Sequence, residues 1–205
     1  MILSRATCAD LEDVLGLLNG AAERLHERGI SQWPVPFGAG RIGPLIARGE
    51  VLLVRDGGIP VVTGSVSADG DPDFWSPCEL AEPASYVSKV ARAEGYPGAG
   101  EWLLRWITDA ASERGDTWVR LDAWRTNQGL HAYYAARRWY HLRTEDVAGR
   151  NSGALFQRLA LPDPQARAWF QGDVTLPVSP PLPVRVVLPP AEMSVTGSRS
   201  DHGVG

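Results

Sequence analysis

The sequence predicts a mixed α/β fold in which helices flank a twisted, mostly antiparallel sheet. Apolar residues alternate between strand-like and helical spacing, which gives the element order βααββ followed by βαβαββ. Asp56-Gly57-Gly58 separates two apolar runs as a hairpin turn would. A glycine-rich loop at residues 95–100 then joins a strand to a helix.

In the N-terminal half, a short strand over residues 2–5 leads to Asp10, a good N-cap residue. Leucines, valines and alanines then repeat at helical spacing until Gly29, which favours a helix end. The prolines of residues 30–36 exclude a helix there, and a short helix follows near 41–48. The hairpin strands cover residues 50–55 and 59–67.

The C-terminal half continues with a polar loop and then alternates strands with helices. An apolar strand at 86–91 precedes the glycine loop, and a helix opens at Glu101 and ends at Gly115. Further elements are a strand at 117–124, a helix around 130–134, and a final strand pair at 140–144 and 153–161.

The chain of 205 residues is expected to hold one domain, residues 1–161, followed by a tail, residues 162–205. Eight of the 16 prolines lie between Pro162 and Pro190, so the tail is expected to be extended or partly disordered and dispensable for folding. Residues 174–178 and 184–188 are apolar enough to lie along the domain as edge segments.

Bulk properties exclude several classes of protein. The net charge of −4 gives no global argument for nucleic-acid binding. Cys8 and Cys78 lack the spacing of a metal site and are expected to be free thiols of a cytoplasmic protein. No apolar run approaches the roughly 20 residues that cross a membrane.

The glycine loop is the first candidate site. Glycines at 95, 98 and 100 let the backbone approach a ligand closely, and the N-terminus of the following helix presents free N–H groups to phosphate. Pro97 has no N–H to donate. By itself, a loop of this kind also fits a tight strand-to-helix turn without a ligand.

This loop, together with Asn127 and the Tyr133-Tyr134 pair of the later helix, resembles the acyl-CoA-binding half of the GNAT N-acetyltransferase superfamily. The chain departs from the family pattern at four positions: Gly95 replaces Gln or Arg, Pro97 lies inside the loop, Arg138 replaces Gly and Trp139 replaces Phe. The resemblance implies the GNAT fold and acetyl-CoA or another acyl-CoA as co-substrate, with no metal.

The resemblance also implies roles for individual residues. Tyr134 would protonate the leaving thiolate. The candidates for the general base are Asp122 and Glu82, and also Asp73 and Glu79. A main-chain N–H near Val90 would polarise the thioester carbonyl. The expected donor-binding residues are Val90, Ala91, Gly95, Tyr96, Gly98, Ala99, Gly100 and Asn127.

The expected function is N-acyl transfer to a small-molecule amine by direct attack in a ternary complex. Trp33, Trp75 and Trp124 are expected near the mouth of the acceptor pocket. The strand that ends near Ala91 and the strand that starts near Thr117 should splay apart and leave a cleft.

Two alternatives remain open at this point. The same fold could use an aminoacyl-tRNA or another non-CoA donor, with the arginines at 137, 138, 143 and 150 on RNA phosphate. The chain could also be a catalytically decayed binding domain. A homodimer, formed through sheet edges or the tail, is compatible with all three readings.

Overall fold

A computed structural model describes residues 1–172 and 174–177 of the chain, and these residues fold around one seven-stranded sheet. The strand order is β1-β2-β3-β4-β5-β7-β6, and every neighbouring pair is antiparallel except β4 and β5. This arrangement confirms the predicted fold class. The strands are β1 Ile2–Arg5, β2 Val51–Asp56, β3 Ile59–Ser67, β4 Ala84–Arg92, β5 Trp118–Trp124, β6 Tyr140–Thr144 and β7 Ser152–Leu159.

Six α-helices occur in the described residues; the first, second, fourth and fifth lie close to the predicted positions, whereas the third and sixth were not predicted. Asp10 stands at the N-cap position of the first helix, but its carboxylate makes no capping hydrogen bond there and accepts from Thr7 and Arg55 instead. The glycine loop leads into the long fourth helix. The helices are α1 Leu11–His26, α2 Gly43–Ala47, α3 Pro77–Leu80, α4 Ala99–Arg114, α5 Gln128–Ala135 and α6 Pro164–Arg167.

The sheet carries apolar side chains on both faces, because successive residues of a strand point to opposite sides. Leu52 and Val54 of β2 join a core cluster with the α4 residues Leu103 and Ile107. Leu53, between them in sequence, joins a second cluster beneath α1. The sheet is therefore sandwiched between α1 on one face and α4 on the other.

The parallel strands β4 and β5 diverge, as predicted. They pair only from Ala84 to Tyr86 of β4, opposite Trp118 to Arg120 of β5. The remaining residues of β4, up to Arg92, and of β5, up to Trp124, are not paired with each other. Both strands therefore present unpaired main-chain edges to the opening between them.

A bulge in β4 lies at the start of this opening. The register against β3 shifts between Thr63 and Ser65, and Lys89 has a left-handed φ of 55°. A residue other than glycine rarely adopts this conformation. The bulge redirects the side chains of β4 where the strand leaves β5.

The first part of the predicted tail does not follow the expectation of an extended segment. Residues 164–167 form α6, and Ala166, Phe170 and Leu176 are buried in the larger core cluster. Gln171 also pairs with β1 through an isolated parallel bridge at Ile2. The apolar residues between the prolines give this segment a surface that packs.

The remaining expectations for the tail are only partly covered by the structure. Residues 174–177 hold no strand. Val178 and residues 184–188 lie outside the described residues.

No helix within the described part of the chain is long and apolar enough to span a membrane.

Candidate functional site

The divergence of β4 and β5 opens a cleft of about 1140 Å³. Strand β4 forms one side and β5 the other, while the segment between α1 and α2 and the start of α5 close its ends. Residues that line the cleft include Gln32, Trp33, Arg41, Arg48, Glu50, Asp71, Trp75, Lys89, Val90, Asp122, Trp124, Leu130, Tyr134 and Arg150.

A second, smaller groove of about 350 Å³ runs between the glycine loop, the start of α4 and α5. Val90, Leu130 and Tyr134 line both the groove and the cleft, so the two spaces meet at these three side chains. The groove is lined by Val90, Arg92, Pro97, Gly98, Gly100, Glu101, Leu104, Leu130, Tyr133, Tyr134 and Arg137.

The glycine loop delivers main-chain donors to this groove, but not all those expected. Gly98 is the N-cap of α4 with a φ of 86°, which favours glycine. Ala99 is fully buried, and its N–H donates to the carbonyl of Tyr96 at 3.2 Å, so Ala99 is not a free donor. The amides of Gly100 and Glu101 belong to the first helical turn, where the helix itself supplies no acceptor.

This groove is also lined by charged side chains that are not among the donor-binding residues expected from the sequence. The carboxylate of Glu101 accepts a hydrogen bond from the Tyr133 hydroxyl at 3.2 Å and pairs with Arg137 at 3.0 Å. The Arg137 guanidinium also lies over the Tyr133 ring, 3.7 Å from its centroid. Burial and the nearby Glu101 carboxylate raise the pKa of Tyr133 to about 12.

Arg92 and Arg137 therefore supply the cationic side chains of the groove. Gly95, where the GNAT pattern has Gln or Arg, gives no hint of them. Arg92 lies three residues before that position and Arg137 follows α5, so only the folded chain brings them together.

Tyr134 occupies the junction of the two spaces, as its assigned role requires. Its ring packs against Tyr133, Trp139 and Phe156, with centroid distances of 5.5, 5.5 and 5.3 Å. Burial raises the pKa of its hydroxyl far above neutrality, so the group stays protonated at physiological pH.

Asn127 is the N-cap residue of α5, which agrees with its sequence context. Its side-chain oxygen accepts from the Leu130 N–H at 3.0 Å, and its amide donates to Gln32 at 2.9 Å. Asn127 thus fixes the start of α5 against the acceptor cleft. It does not line the donor groove.

Three other expected donor-binding residues also lie away from the groove. Ala91 is buried in the core cluster beneath α1, because it follows the bulge of β4. Gly95, with a φ of 84°, and Tyr96, which packs on the larger core, shape the loop and do not line the groove. Of the expected set, Val90, Gly98 and Gly100 line it.

Asp122 is the candidate base that the structure places in the acceptor cleft. Burial raises the pKa of its carboxyl, and a hydrogen bond with Ser152 and the charge of Arg150 partly oppose that rise. The nearby arginines Arg120, in β5, and Arg125, just after it, are not its partners, since Arg120 pairs with Glu82 and Arg125 with Asp146.

Glu82 does not lie where the predicted general base would have to lie. Glu82 pairs with the buried Arg120 and does not line the cleft. Glu79 accepts from Arg143 and from Ser76, and these contacts lower its pKa to about 2. Both carboxylates are held outside the cleft by cations distant in sequence.

Trp33, Trp75 and Trp124, expected near the mouth of an acceptor pocket, all line the cleft. Trp75 is also packed in the protein, where its ring contacts Tyr86 at a centroid distance of 5.7 Å. The cleft therefore combines planar apolar walls with charged groups. The most distinctive of these charges is Lys89, which the sequence does not mark as a site residue.

Three of the four arginines proposed to contact RNA are paired with acidic side chains, whereas Arg138 is exposed and forms no ion pair within residues 1–172 and 174–177. Arg137 pairs with Glu101, Arg143 with Glu79 and Glu145, and Arg150 with Asp71. Acidic residues from other elements already occupy these guanidinium groups.

Residues 1–172 and 174–177 contain no group of three or more His, Cys, Asp and Glu side chains that could hold a metal ion. Cys8 and Cys78 are free and exposed.

Comparison with known proteins gives matches at the level of structure alone. The sequence matches no protein-family model and no curated protein. A GNAT-family acetyltransferase from Listeria monocytogenes superposes with a TM-score of 0.65 at 18% identity, over 77% of this chain and 94% of that one.

Two further solved structures match a similar share of the chain. The ribosomal-protein-alanine N-acetyltransferase of Brucella melitensis gives a TM-score of 0.56 at 21% identity, covering 78% of this chain and 99% of its own. The PaiA N-acetyltransferase of Thermoplasma acidophilum, solved in complex with coenzyme A, gives 0.56 at 11% identity, covering 77% and 97%. At these identities the likeness establishes the fold, and this chain has the fold of the GNAT acetyltransferases.

Proposed function

We propose that this chain is an N-acyltransferase that moves an acetyl or other acyl group from acyl-CoA to the amine of a small molecule. The observation that carries the proposal is the meeting of two spaces at Val90, Leu130 and Tyr134. One space ends at a glycine loop and helix N-terminus, which suit phosphate. The other is a cleft with a carboxylate and aromatic walls.

The donor groove fits acyl-CoA on the chemistry of its residues. The amides of Gly98, Gly100 and Glu101 would hold the pyrophosphate, and Arg92 would offset its charge. The Glu101 carboxylate is already paired with Arg137, which reduces its repulsion of phosphate. Without an N–H at Pro97, the loop offers fewer main-chain donors than the family pattern.

Chemistry at the junction requires few side chains. The acceptor nitrogen attacks the thioester carbonyl carbon, and a main-chain N–H of the unpaired edge of β4 near Val90 stabilises the oxyanion. As the C–S bond breaks, the Tyr134 hydroxyl donates its proton to the departing sulfur. The proton lost from the nitrogen passes to Asp122, directly or through water.

The protonation state of Tyr134 and the basicity of Asp122 suit their proposed roles. Tyr134 is protonated before the reaction, and it donates to a thiolate that is being formed. A carboxyl with a raised pKa, such as that of Asp122, is a stronger base than an exposed aspartate.

An aminoacyl-tRNA donor gains no support, because three of the four arginines assigned to RNA are paired with acidic residues and Arg138 alone is left unpaired among the described residues. A decayed binding domain would keep the fold and lose donor binding or turnover. Cytoplasmic location and homodimer formation remain part of the proposal.

Calorimetric titration with acetyl-CoA, followed by incubation with a panel of small amines, tests the proposal. Saturable binding and an acylated amine detected by mass spectrometry would support it. Binding without acylation of any amine would favour a decayed domain, and the absence of binding would reject acyl-CoA as donor.

A further inference from the structure

Lys89 is the only lysine of the chain, and it lies at the bulge of β4 where the cleft opens. Its φ of 55° is left-handed. The positive φ of a residue with a side chain is unfavourable unless the surrounding structure imposes it. Here the bulge imposes it, and the lysine side chain lines the cleft as a result.

The ammonium group of Lys89 has no carboxylate at ion-pair distance among residues 1–172 and 174–177. Its polar contact there is a 3.3 Å hydrogen bond to the hydroxyl of the neighbouring Ser88. Two other cations of the cleft are neutralised, since Arg48 pairs with Glu50 at 2.7 Å and Arg150 with Asp71 at 2.5 Å.

Burial of a cation without a partner is unfavourable, and here burial lowers the pKa of Lys89. Arg41, on the segment before α2, adds a second positive charge that acts on Lys89. An anionic group bound beside Lys89 would therefore relieve an existing electrostatic penalty. That group would come from the substrate, because the nearest acidic side chains pair with arginines or lie across the cleft.

Across the cleft from Lys89 stands Asp122 on β5, and the two charges influence each other. The cleft thus presents a cation on one diverging strand and a carboxylate on the other. A molecule that carries an amine and an anionic group complements both strands at once.

We propose that the acceptor is an amine that also carries a carboxylate, as an α-amino acid does, and that Lys89 binds this carboxylate. The inference rests on the proposed acyl transfer. The amine then lies toward Asp122 and the junction at Tyr134, while Trp33 and Trp124 contact an apolar or planar side chain.

Matched acceptor pairs test the inference: phenylalanine with phenylalaninamide, tryptophan with tryptophanamide, and leucine with leucinamide. Each pair keeps the side chain and replaces the carboxylate by a neutral amide. Because the amide also makes the α-amine less basic, rates are compared for the neutral amine, taken from pH profiles. Product is followed by mass spectrometry with acetyl-CoA as donor, because Cys8 and Cys78 are exposed thiols that would react with a thiol reagent.

In the parent protein, kcat/KM is expected to favour the carboxylate in at least one pair by about tenfold to a hundredfold, the range for a hydrogen bond to a charged group. In Lys89→Met this preference should fall to near unity. Lys89→Arg is the matched control, since it keeps the charge on an unbranched chain at the same strained position, and it should retain most of the preference.

A parent protein that prefers the amides, or a Lys89→Met variant that keeps the preference, would overturn the inference. Equal losses for both members of a pair would also overturn it, because Lys89 would then act in the chemical step or in folding. If the parent binds acetyl-CoA and acylates amines without a carboxylate preference, this inference fails and the proposed function stands. If it neither binds acetyl-CoA nor acylates an amine, the proposed function fails first.

Discussion

The docked segment after β7 gives the most direct test of how the fold is stabilised. A chain that ends after residue 161 would lose α6 and the burial of Phe170 and Leu176, which are 8% and 4% exposed. It would also leave Asp109, which is 4% exposed, without its partner Arg167. The composition of the segment predicts none of these losses.

The expected loss of stability can be estimated from the buried side chains. Burial of a Phe or Leu side chain contributes about 1.5–3 kcal/mol each, so truncation should remove at least about 3 kcal/mol. In a domain of this size, about 2–4 °C of Tm corresponds to each kcal/mol, which predicts a decrease of at least about 6 °C.

Differential scanning calorimetry of two variants measures this decrease, one ending after residue 161 and the other after residue 177. Their comparison isolates the segment that contains α6. In the full chain, Phe170→Ala should lower stability by about 3 kcal/mol or more, whereas Leu161→Ala, at a residue that is 58% exposed, should change it by less than about 0.5 kcal/mol. Equal Tm values for the two truncated variants would refute the inference that this segment stabilises the domain.

Three further predictions concern the site and its surroundings. Tyr134→Phe should fold normally and lower kcat by about 10²–10⁴-fold in acyl-transfer assays. The control Tyr133→Phe, which loses the contact with Glu101, should affect acetyl-CoA affinity more than kcat. A fully active Tyr134→Phe variant would remove the hydroxyl from the mechanism. Pro97→Gly should strengthen acetyl-CoA binding in calorimetry by about 1.5–3 kcal/mol, because it adds an N–H donor. Gly98→Val should weaken binding, because residue 98 has a φ of 86°. Unchanged affinities would show that the loop does not contact phosphate. Glu79 has a folded-state pKa of about 2, lower than its usual 4.5, so its contribution to stability is present above pH 4.5 and is lost as the pH falls toward 2. Urea unfolding of Glu79→Gln should show lower stability at pH 7 and a weaker pH dependence between pH 4.5 and 2. An unchanged pH profile would contradict the assignment.

Several elements of the fold follow from local sequence rules. Asp56-Gly57-Gly58 predicts the hairpin between β2 and β3, and both glycines have a positive φ, as the turn requires. Asn127 favours a helix start at its own position, and the hydrogen bond from the Leu130 N–H to its side-chain oxygen confirms it. Such features depend on residues a few positions apart, so the sequence expresses them directly.

The candidate site was only partly predictable. Tyr134, Val90, Gly98 and Gly100 line the predicted spaces because a helix start and a glycine loop position them locally. Glu82 could not be excluded from sequence, since its partner Arg120 lies 38 positions away in the chain. The charged residues of the donor groove were missed for the same reason.

By itself, the sequence determined the order of the strands and of four of the six described helices, the hairpin and the glycine loop. Short-range hydrogen bonding and the periodicity of apolar residues fix these features. Tertiary structure alone decided that Lys89 lies at a bulge without a carboxylate partner in the described chain, that Asp122 is the base candidate within the cleft, and that the segment at α6 is docked. Each of these depends on burial and charge pairing between strands and helices distant in sequence, which no local pattern of residues encodes.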